Sequence, residues 1–494
     1  VYLNFLTTLI WSKRVVPKRS IACILAALLF LQTGSAQVAL PDIGDPARSV
    51  LSPGEEERLG EAFMRELRAR ITIVDDPEVT DYIQSLGYRV ASRSEAPNTR
   101  FRFFVVESPA INAFAAPGGF IGLNAGLILA TDAESELAAV VAHEIAHVTQ
   151  HHLARALQLM QKTSLPALAG LIAAIILGAA GGGEAGAAAA AAVTAGQAQL
   201  QLDFTRDNER EADRVGMQLL ARAGFDPRAM PSFFERLQQS HRYYAQPPEF
   251  LSTHPVTASR IADSRNRAEQ FPYRQYRDGV MYAIIRAKLQ VMVASDPAQV
   301  AQRFEAALDS ESRQERVATR YGYALALLEM GKPERAHAEI KKVLRSADRD
   351  LVPFQVALAR TELALGHVEK ALAIYGDALS LYPDNRALVQ GYAEALLQAG
   401  QAKKVLALLD EYRDLRPLDA TLYKLSAQAY ARTGSMVDAQ IAMAEYFYLD
   451  GQLDAAIHQI KRARAASDKG FYRSARIEAR LKQLETEQAE RAGR

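Results

Sequence analysis

Apolar positions along this chain recur mainly at helical spacing. Leu59, Phe63, Leu67 and Ile71 fall four apart and predict one amphipathic helix. Its start is marked by Ser52-Pro53-Gly54-Glu55, with Ser52 as N-cap, Pro53 in the first turn and Glu55 completing the capping pattern. A second helix is predicted from Pro77 to Ser92. Arg100 to Val106 is rich in Phe and Val with partial alternation and reads as a strand. Asn112 to Gly119 reads as a loop or edge segment, and Phe120 to Asn124 as a second strand. An apolar run from Glu136 to Gln150, free of proline and glycine, predicts a further helix, and helical segments follow at Val280 to Ala294 and Pro297 to Leu308.

Towards the C-terminus the pattern becomes periodic. Gly331, Gly366, Gly400 and Gly434 are spaced 35, 34 and 34 residues apart, and Pro383 and Pro417 are also 34 apart. Five residues after each glycine stands a small side chain: Ala336, Ala371, Val405 and Ala439. A period of 34 with a turn glycine and a small residue in the second helix is the tetratricopeptide signature. Gly451 with Ala456 repeats the pattern 17 residues after Gly434, so one helix there can serve two successive repeats. Stacked helix pairs form a solenoid whose concave face binds segments of other proteins. Tyr323, Tyr375, Tyr392, Tyr423 and Tyr430 are groove or core residues of such an array; the register of Tyr323 and Tyr392 favours the core.

Composition narrows the class. At 494 residues the chain has room for more than one domain, and its net charge of +1 gives no case for a nucleic-acid partner. Residues 1–36 carry Lys13, Arg14, Lys18 and Arg19 and no acid, so the rest of the chain is near −3. That segment reads as an export signal. A basic region ends at Arg19, an apolar run spans Ile21 to Leu31, and Gly34-Ser35-Ala36 offers a cleavage site near Ala36. The only cysteine, Cys23, lies inside it, so the cleaved chain would have no disulfide. A further apolar stretch, Leu165 to Val193, has a charge-free half of about 16 residues, short of the roughly 20 that a spanning helix needs. It reads as an Ala/Gly-rich hairpin or lid over a cleft, as a peripheral contact with the membrane surface, or as a buried hairpin.

The chemistry is written in Val141-Ala142-His143-Glu144-Ile145-Ala146-His147. On a helix, two histidines four apart point the same way. They can grip one Zn²⁺, and Glu144 between them is placed to act on water at the metal. A histidine six residues after the second, the third ligand of metzincins, is absent: Leu153 stands there, and Gln150 replaces the bend glycine. His151 and His152 are read as helix-surface residues. Glu209 and Asp213, four apart in Asn208-Glu209-Arg210-Glu211-Ala212-Asp213, share a helix face. Glu209 is the candidate third ligand, and Asp213 accepts a hydrogen bond from the far nitrogen of a liganding histidine. Arg210 and Glu211 are read as solvated charges.

The H-E-x-x-H string followed by E-x-x-x-D resembles the gluzincin family that includes the HtpX-type membrane proteases and the CAAX prenyl proteases. The chain from about Leu51 to its end is most similar to the periplasmic, repeat-bearing branch. The resemblance implies one Zn²⁺ per chain, Glu144 as general base, and Asn112, Ala113 and Phe114 as the substrate-strand segment. It also brings in Thr253-His254-Pro255 and Arg260. His254 is a fourth ligand that keeps the enzyme latent, a donor to the oxyanion, or a turn residue without a role. Arg260 supports the oxyanion or pairs with a carboxylate.

The expected fold is mainly α with a small β-sheet (α+β): a zincin-type catalytic domain followed by a tetratricopeptide-repeat α-solenoid. The expected boundaries are 1–36 signal, 37–50 linker, 51–271 protease, 272–308 connecting helices and 309–494 repeats. The expected function is a periplasmic zinc endopeptidase acting on unfolded or misassembled outer-membrane proteins, with repeats that recruit substrate or the outer-membrane β-barrel assembly machinery. The alternatives are a chaperone-like adaptor with a latent zinc site, and a membrane-embedded protease.

Overall fold

The computed structural model describes residues 52–96, 99–159, 195–240, 248–276, 278–308, 313–467 and 471–492. The signal, the linker and the apolar segment 165–193 lie outside the described residues. Helix α1 (Pro53–Arg70) begins on its capping pair: Ser52 N donates to the Glu55 carboxylate at 2.9 Å, and Glu55 N donates back to Ser52 Oγ at 3.4 Å. Helix α2 (Pro77–Ala91) is capped by Asp76, which accepts from the main-chain N–H groups of Glu78 and Val79.

Three strands, β1 (Arg102–Val106), β2 (Ala113–Ala116) and β3 (Phe120–Asn124), form a sheet in the order β1-β3-β2. The β1–β3 pair is parallel and the β2–β3 pair antiparallel, so β2 lies at an edge. Both faces of the sheet are covered. Phe103, Val105, Ile121 and Leu123 join the main core beneath α2, whereas Phe104, Val106, Phe114 and Phe120 pack with Phe63 and Leu67 of α1. Burial on both sides explains why β1 alternates only partly: neither face has a reason to be polar.

Helices α3 (Ala125–Ala130), α4 (Glu134–Thr149), α5 (His152–Leu159), α6 (Ala195–Arg222), α7 (Ala229–Ser240), α8 (Glu249–Thr253) and α9 (Ala258–Ala268) complete the part that carries the H-E-x-x-H string. Helix α4 starts earlier than its apolar pattern predicts. Its N-cap, Ala133, has no capping side chain, and Glu136 accepts from Asp132 N instead. Carboxylates in the first turn also suit the positive end of the helix.

Helix α10 (Val280–Met292) is shared between two cores. Tyr282, Ile285 and Leu289 belong to the core around α4, while Ile284, Ala287 and Val291 belong to the first core of the repeats. Lys288, on the same helix, is buried against Asp76 Oδ2 at 2.6 Å and against Glu78. Tyr321 donates to the same Glu78 carboxylate at 3.3 Å. Replacing Lys288 by Met strands these acids. We expect a loss of about 2–3 kcal/mol, less than for a fully enclosed pair because Asp76 reaches solvent. Urea unfolding checks this, and an unchanged midpoint would show that water already solvates the carboxylates.

Helices α11 (Pro297–Ala307), α12 (Arg313–Glu329), α13 (Pro333–Ser346), α14 (Val352–Ala364), α15 (Val368–Leu381), α16 (Arg386–Gln398), α17 (Ala402–Leu415), α18 (Ala420–Arg432), α19 (Met436–Leu449), α20 (Leu453–Ala466) and α21 (Phe471–Ala492) follow. The turn glycines 331, 366, 400, 434 and 451 all have positive φ, between 67° and 83°. After each, an N–H reaches back across the helix end, as in Lys332 to Leu327 O and Gln401 to Leu396 O. This closure satisfies the last carbonyls and requires a left-handed residue, hence glycine. Ala336, Ala371, Val405, Ala439 and Ala456 are all buried where the paired helices meet. Tyr323 and Tyr375 are buried in two successive cores of the repeats, and Tyr392 and Tyr423 pack partly buried against that of Tyr375. The chain is thus mainly α with one small sheet, and its C-terminal part is built of tetratricopeptide-like helix pairs. Among the described residues, no helix is long and apolar enough to cross a membrane.

Candidate metal centre

The site forms where α4 meets α6 and the turn after α8. His143 and His147 lie one helical turn apart near the C-terminal end of α4, with His143 fully buried. Helix α6 brings Glu209 and Asp213 to the same place. Gly216 permits this approach, since a Cβ there would sit 3.1 Å from Ala142 and from the main-chain nitrogen of His143. His254 arrives at the end of α8, its ring stacked on Phe250 with centroids 4.8 Å apart. Helix α8 is tied to the segment just before β2 by two bonds, from Phe250 N to Ile111 O at 3.0 Å and from Thr253 Oγ1 to Asn112 Oδ1 at 3.3 Å.

One ligand atom from each of His143, His147, Glu209 and His254 lies within 4.8 Å of all the others. His143 Nε2 is 3.0 Å from His147 Nε2, 3.3 Å from Glu209 Oε2 and 3.3 Å from His254 Nδ1. His147 Nε2 and His254 Nδ1 stand 3.3 and 3.0 Å from Glu209 Oε1. Tetrahedral zinc with bonds of about 2.0–2.1 Å holds neighbouring ligand atoms roughly 3.3 Å apart. The donor set and its spacing therefore fit such an ion. The convergence of three imidazole nitrogens and a carboxylate on one point makes sense for a cation and poorly for a protonated network.

Without an ion the groups divide into an anionic Glu209 and a cationic His143, whose Nε2 proton a bound ion would displace. Burial pushes the His147 imidazole down to about 3, against the pull of Glu209. At His143 burial also lowers the value, but Asp213 and Glu209 outweigh it and raise the group to about 10. Burial opposes ionisation of Glu209, yet His254, His143 and His147 hold its carboxyl well below the usual range. Glu144 differs from them. It is 1% exposed, no side chain donates a well-formed hydrogen bond to its oxygens, and burial raises its carboxyl despite His254, His143 and the main chain of Ala115. A buried carboxylate with open lone pairs beside the cluster is placed to take a proton.

Asp213 Oδ1 faces His143 Nδ1 at 3.1 Å. Its other partner is Arg260, which is 2% exposed and donates through Nε and Nη2 to both Asp213 oxygens at 2.8 Å. Arg260 Nη1 lies 2.9 Å from Glu209 and also donates to Pro255 O. Of the two readings of Arg260, this is the carboxylate pairing. Asn112, Ala113 and Phe114 have buried side chains, so main chain is what β2 can offer a ligand.

Two sequence readings need correction. His152, read as a surface residue, is buried at 5% exposure. Its Nδ1 is 2.8 Å from His147 Nδ1, and its Nε2 is 3.2 Å from Glu211 Oε2. Burial holds the His152 imidazole down at about 4. Glu211, read as solvated, is bound by Arg155 at 2.6 Å as well. The cause is a chain reversal at His151, whose φ of 53° ends α4 and folds α5 back beside α6. No glycine or proline marks that reversal in the sequence. A histidine five residues after His147 is off the helical register, so periodicity could not find it.

Comparison with known proteins agrees with this geometry. The pattern of Peptidase family M48 matches residues 77–268, and that of the tetratricopeptide repeat matches residues 362–429. The beta-barrel assembly-enhancing protease of Escherichia coli (strain K12) is 36% identical over 476 residues, covering 95% of this chain and 97% of its own length. A putative beta-barrel assembly-enhancing protease of Vibrio cholerae is also 36% identical, over 94% of this chain and 95% of the relative. A mitochondrial metalloendopeptidase of Schizosaccharomyces pombe matches over 37% of this chain at 30% identity. The M48 match spans both α4 and α6, and the similarity to the relatives extends over the repeats, so the chain belongs to peptidase family M48 as a repeat-bearing metalloendopeptidase of the beta-barrel assembly-enhancing group.

Proposed function

We propose that this chain is a periplasmic zinc endopeptidase, held latent by His254, that removes unfolded or misassembled outer-membrane proteins. Support for the location and substrate comes from the export-type segment at residues 1–36 and from relatives named for enhancing β-barrel assembly. The repeats would recruit substrate or the assembly machinery, as helix-pair arrays commonly bind other proteins. The observation that carries the latency reading is the place of His254, whose Nδ1 stands with the other three ligand atoms where a hydrolytic site needs an open position.

His143, His147 and Glu209 would hold the ion, which when bound activates water and polarises a scissile carbonyl. The remaining work falls to the chain. Edge strand β2 presents main chain for pairing with an extended peptide beside Glu144. Glu144 takes the proton from the attacking water and passes it to the leaving amine. Arg260 neutralises the two buried carboxylates of α6 and keeps them in register with His143.

The test is cleavage of an unfolded protein by wild type and His254→Ala. An enzyme open in about a tenth of its molecules gains about tenfold on losing its plug. Lower cleavage with the metal retained would assign His254 to the oxyanion instead. A chaperone-like adaptor remains the second reading, favoured by the same closed arrangement, and predicts no cleavage from either form.

A further inference from the structure

The two histidines of α4 are oriented by different devices, and the second uses residues that neither the H-E-x-x-H nor the E-x-x-x-D string specifies. We infer that His152 and Glu211 act as positioning residues for His147, passing a carboxylate's hydrogen-bond preference through an imidazole to fix the tautomer of the metal ligand. This rests on the metal-site reading above.

The argument is a count of donors. An ionised Glu211 only accepts, so His152 Nε2, 3.2 Å from Glu211 Oε2, carries the proton. Arg155, one turn along α5, donates to the same Oε2 at 2.6 Å and keeps that carboxylate in place. A neutral imidazole protonated at Nε2 has a bare Nδ1. That Nδ1 faces His147 Nδ1 at 2.8 Å, and two bare nitrogens would repel at this distance, so His147 must carry its proton on Nδ1. His147 Nε2 then has a lone pair directed at His143 Nε2, 3.0 Å away, and at Glu209 Oε1. Two bare nitrogens tolerate that distance only with a cation between them, which is the metal-site reading on which this inference stands. His143 Nδ1 lies 3.1 Å from the Asp213 carboxylate with no residue between them, and binding of an ion would remove the second proton, from its Nε2. One ligand histidine therefore leans on a carboxylate, and the other leans on a carboxylate through a second histidine.

The backbone supports the assignment. His151 is the only non-glycine residue with positive φ among those described, at 53°. Such residues persist where surrounding structure holds them, often at functional sites. Here the left-handed step is what turns His152 back beneath His147; a continued helix would carry it past.

The experiment measures Zn²⁺ affinity of the metal-stripped full chain by competition with a chromogenic chelator, for wild type, His152→Phe, His152→Asn and Glu211→Gln. Partners of metal-bound histidines are typically worth 10–100-fold in metal affinity. His152→Phe should lose about that much, whereas His152→Asn should recover most of it, because the Asn Oδ1 can accept where Nδ1 did. Glu211→Gln should weaken binding too, because its amide can donate to His152 and reverse the tautomer. A fully packed but merely structural role predicts equal losses for Phe and Asn, and that result overturns the inference. So does affinity within twofold of wild type in both His152→Asn and Glu211→Gln, even should His152→Phe not fold. Wild type that binds no Zn²⁺ would instead remove the metal-site reading on which this one stands.

Discussion

Replacing Glu144 by Gln should lower turnover of an unfolded substrate on the order of 10³-fold, the usual contribution of a positioned general base. Gln matches Glu in shape, so His143, His147 and Glu209 keep their places and the metal content should not change. The expected result is thus a split: metal retained, cleavage lost. It follows from the position of the group. Glu144 is enclosed, no side chain forms a close hydrogen bond to its oxygens, and His254 Nε2 is 3.5 Å away. Burial raises its carboxyl, which makes the carboxylate a better proton acceptor than an exposed glutamate. Undiminished cleavage by the Gln variant would exclude Glu144 as the base. Undiminished support of outer-membrane assembly by the Gln variant in cells would show that this support does not depend on cleavage.

The second large effect is expected on stability. Arg260→Met removes the cation that faces both Glu209 and Asp213, leaving two carboxylates in a closed space. Breaking a buried pair in this way costs about 3–5 kcal/mol, because the stranded charge loses its partner without regaining water. The loss should be largest in metal-free protein and smaller when an ion is bound to Glu209. Paired urea titrations with and without Zn²⁺ measure the difference. A loss below about 1 kcal/mol in the metal-free form would place the pair among weakly coupled, solvated ones.

Much of the site was legible in the sequence because its pieces are local. His143 and His147 share a face of α4, and Glu209 and Asp213 share a face of α6, by a spacing of four that any helix enforces. The repeat turns were legible for a similar reason. A helix end that must turn left needs glycine, and the need recurs at each repeat. Strand β1 was less clear, since burial on both faces erased the alternation that marks a half-exposed strand. Helices α3, α7, α8 and α9 were not placed by the apolar pattern.

The sequence by itself determined that His143, His147, Glu209 and Asp213 could share a metal centre, the helices that carry them and the period of the repeats, all consequences of local backbone geometry, whereas His254 entered only through the family resemblance. Tertiary structure alone decided what those side chains meet. Arg260 and Asp213 are 47 residues apart, and Lys288 and Glu78 are 210 apart, so their pairing depends on how whole helices pack. The same holds for His152. A single left-handed residue at His151 turned an apparent surface histidine into a buried partner of His147, and no periodicity in the chain encodes that step.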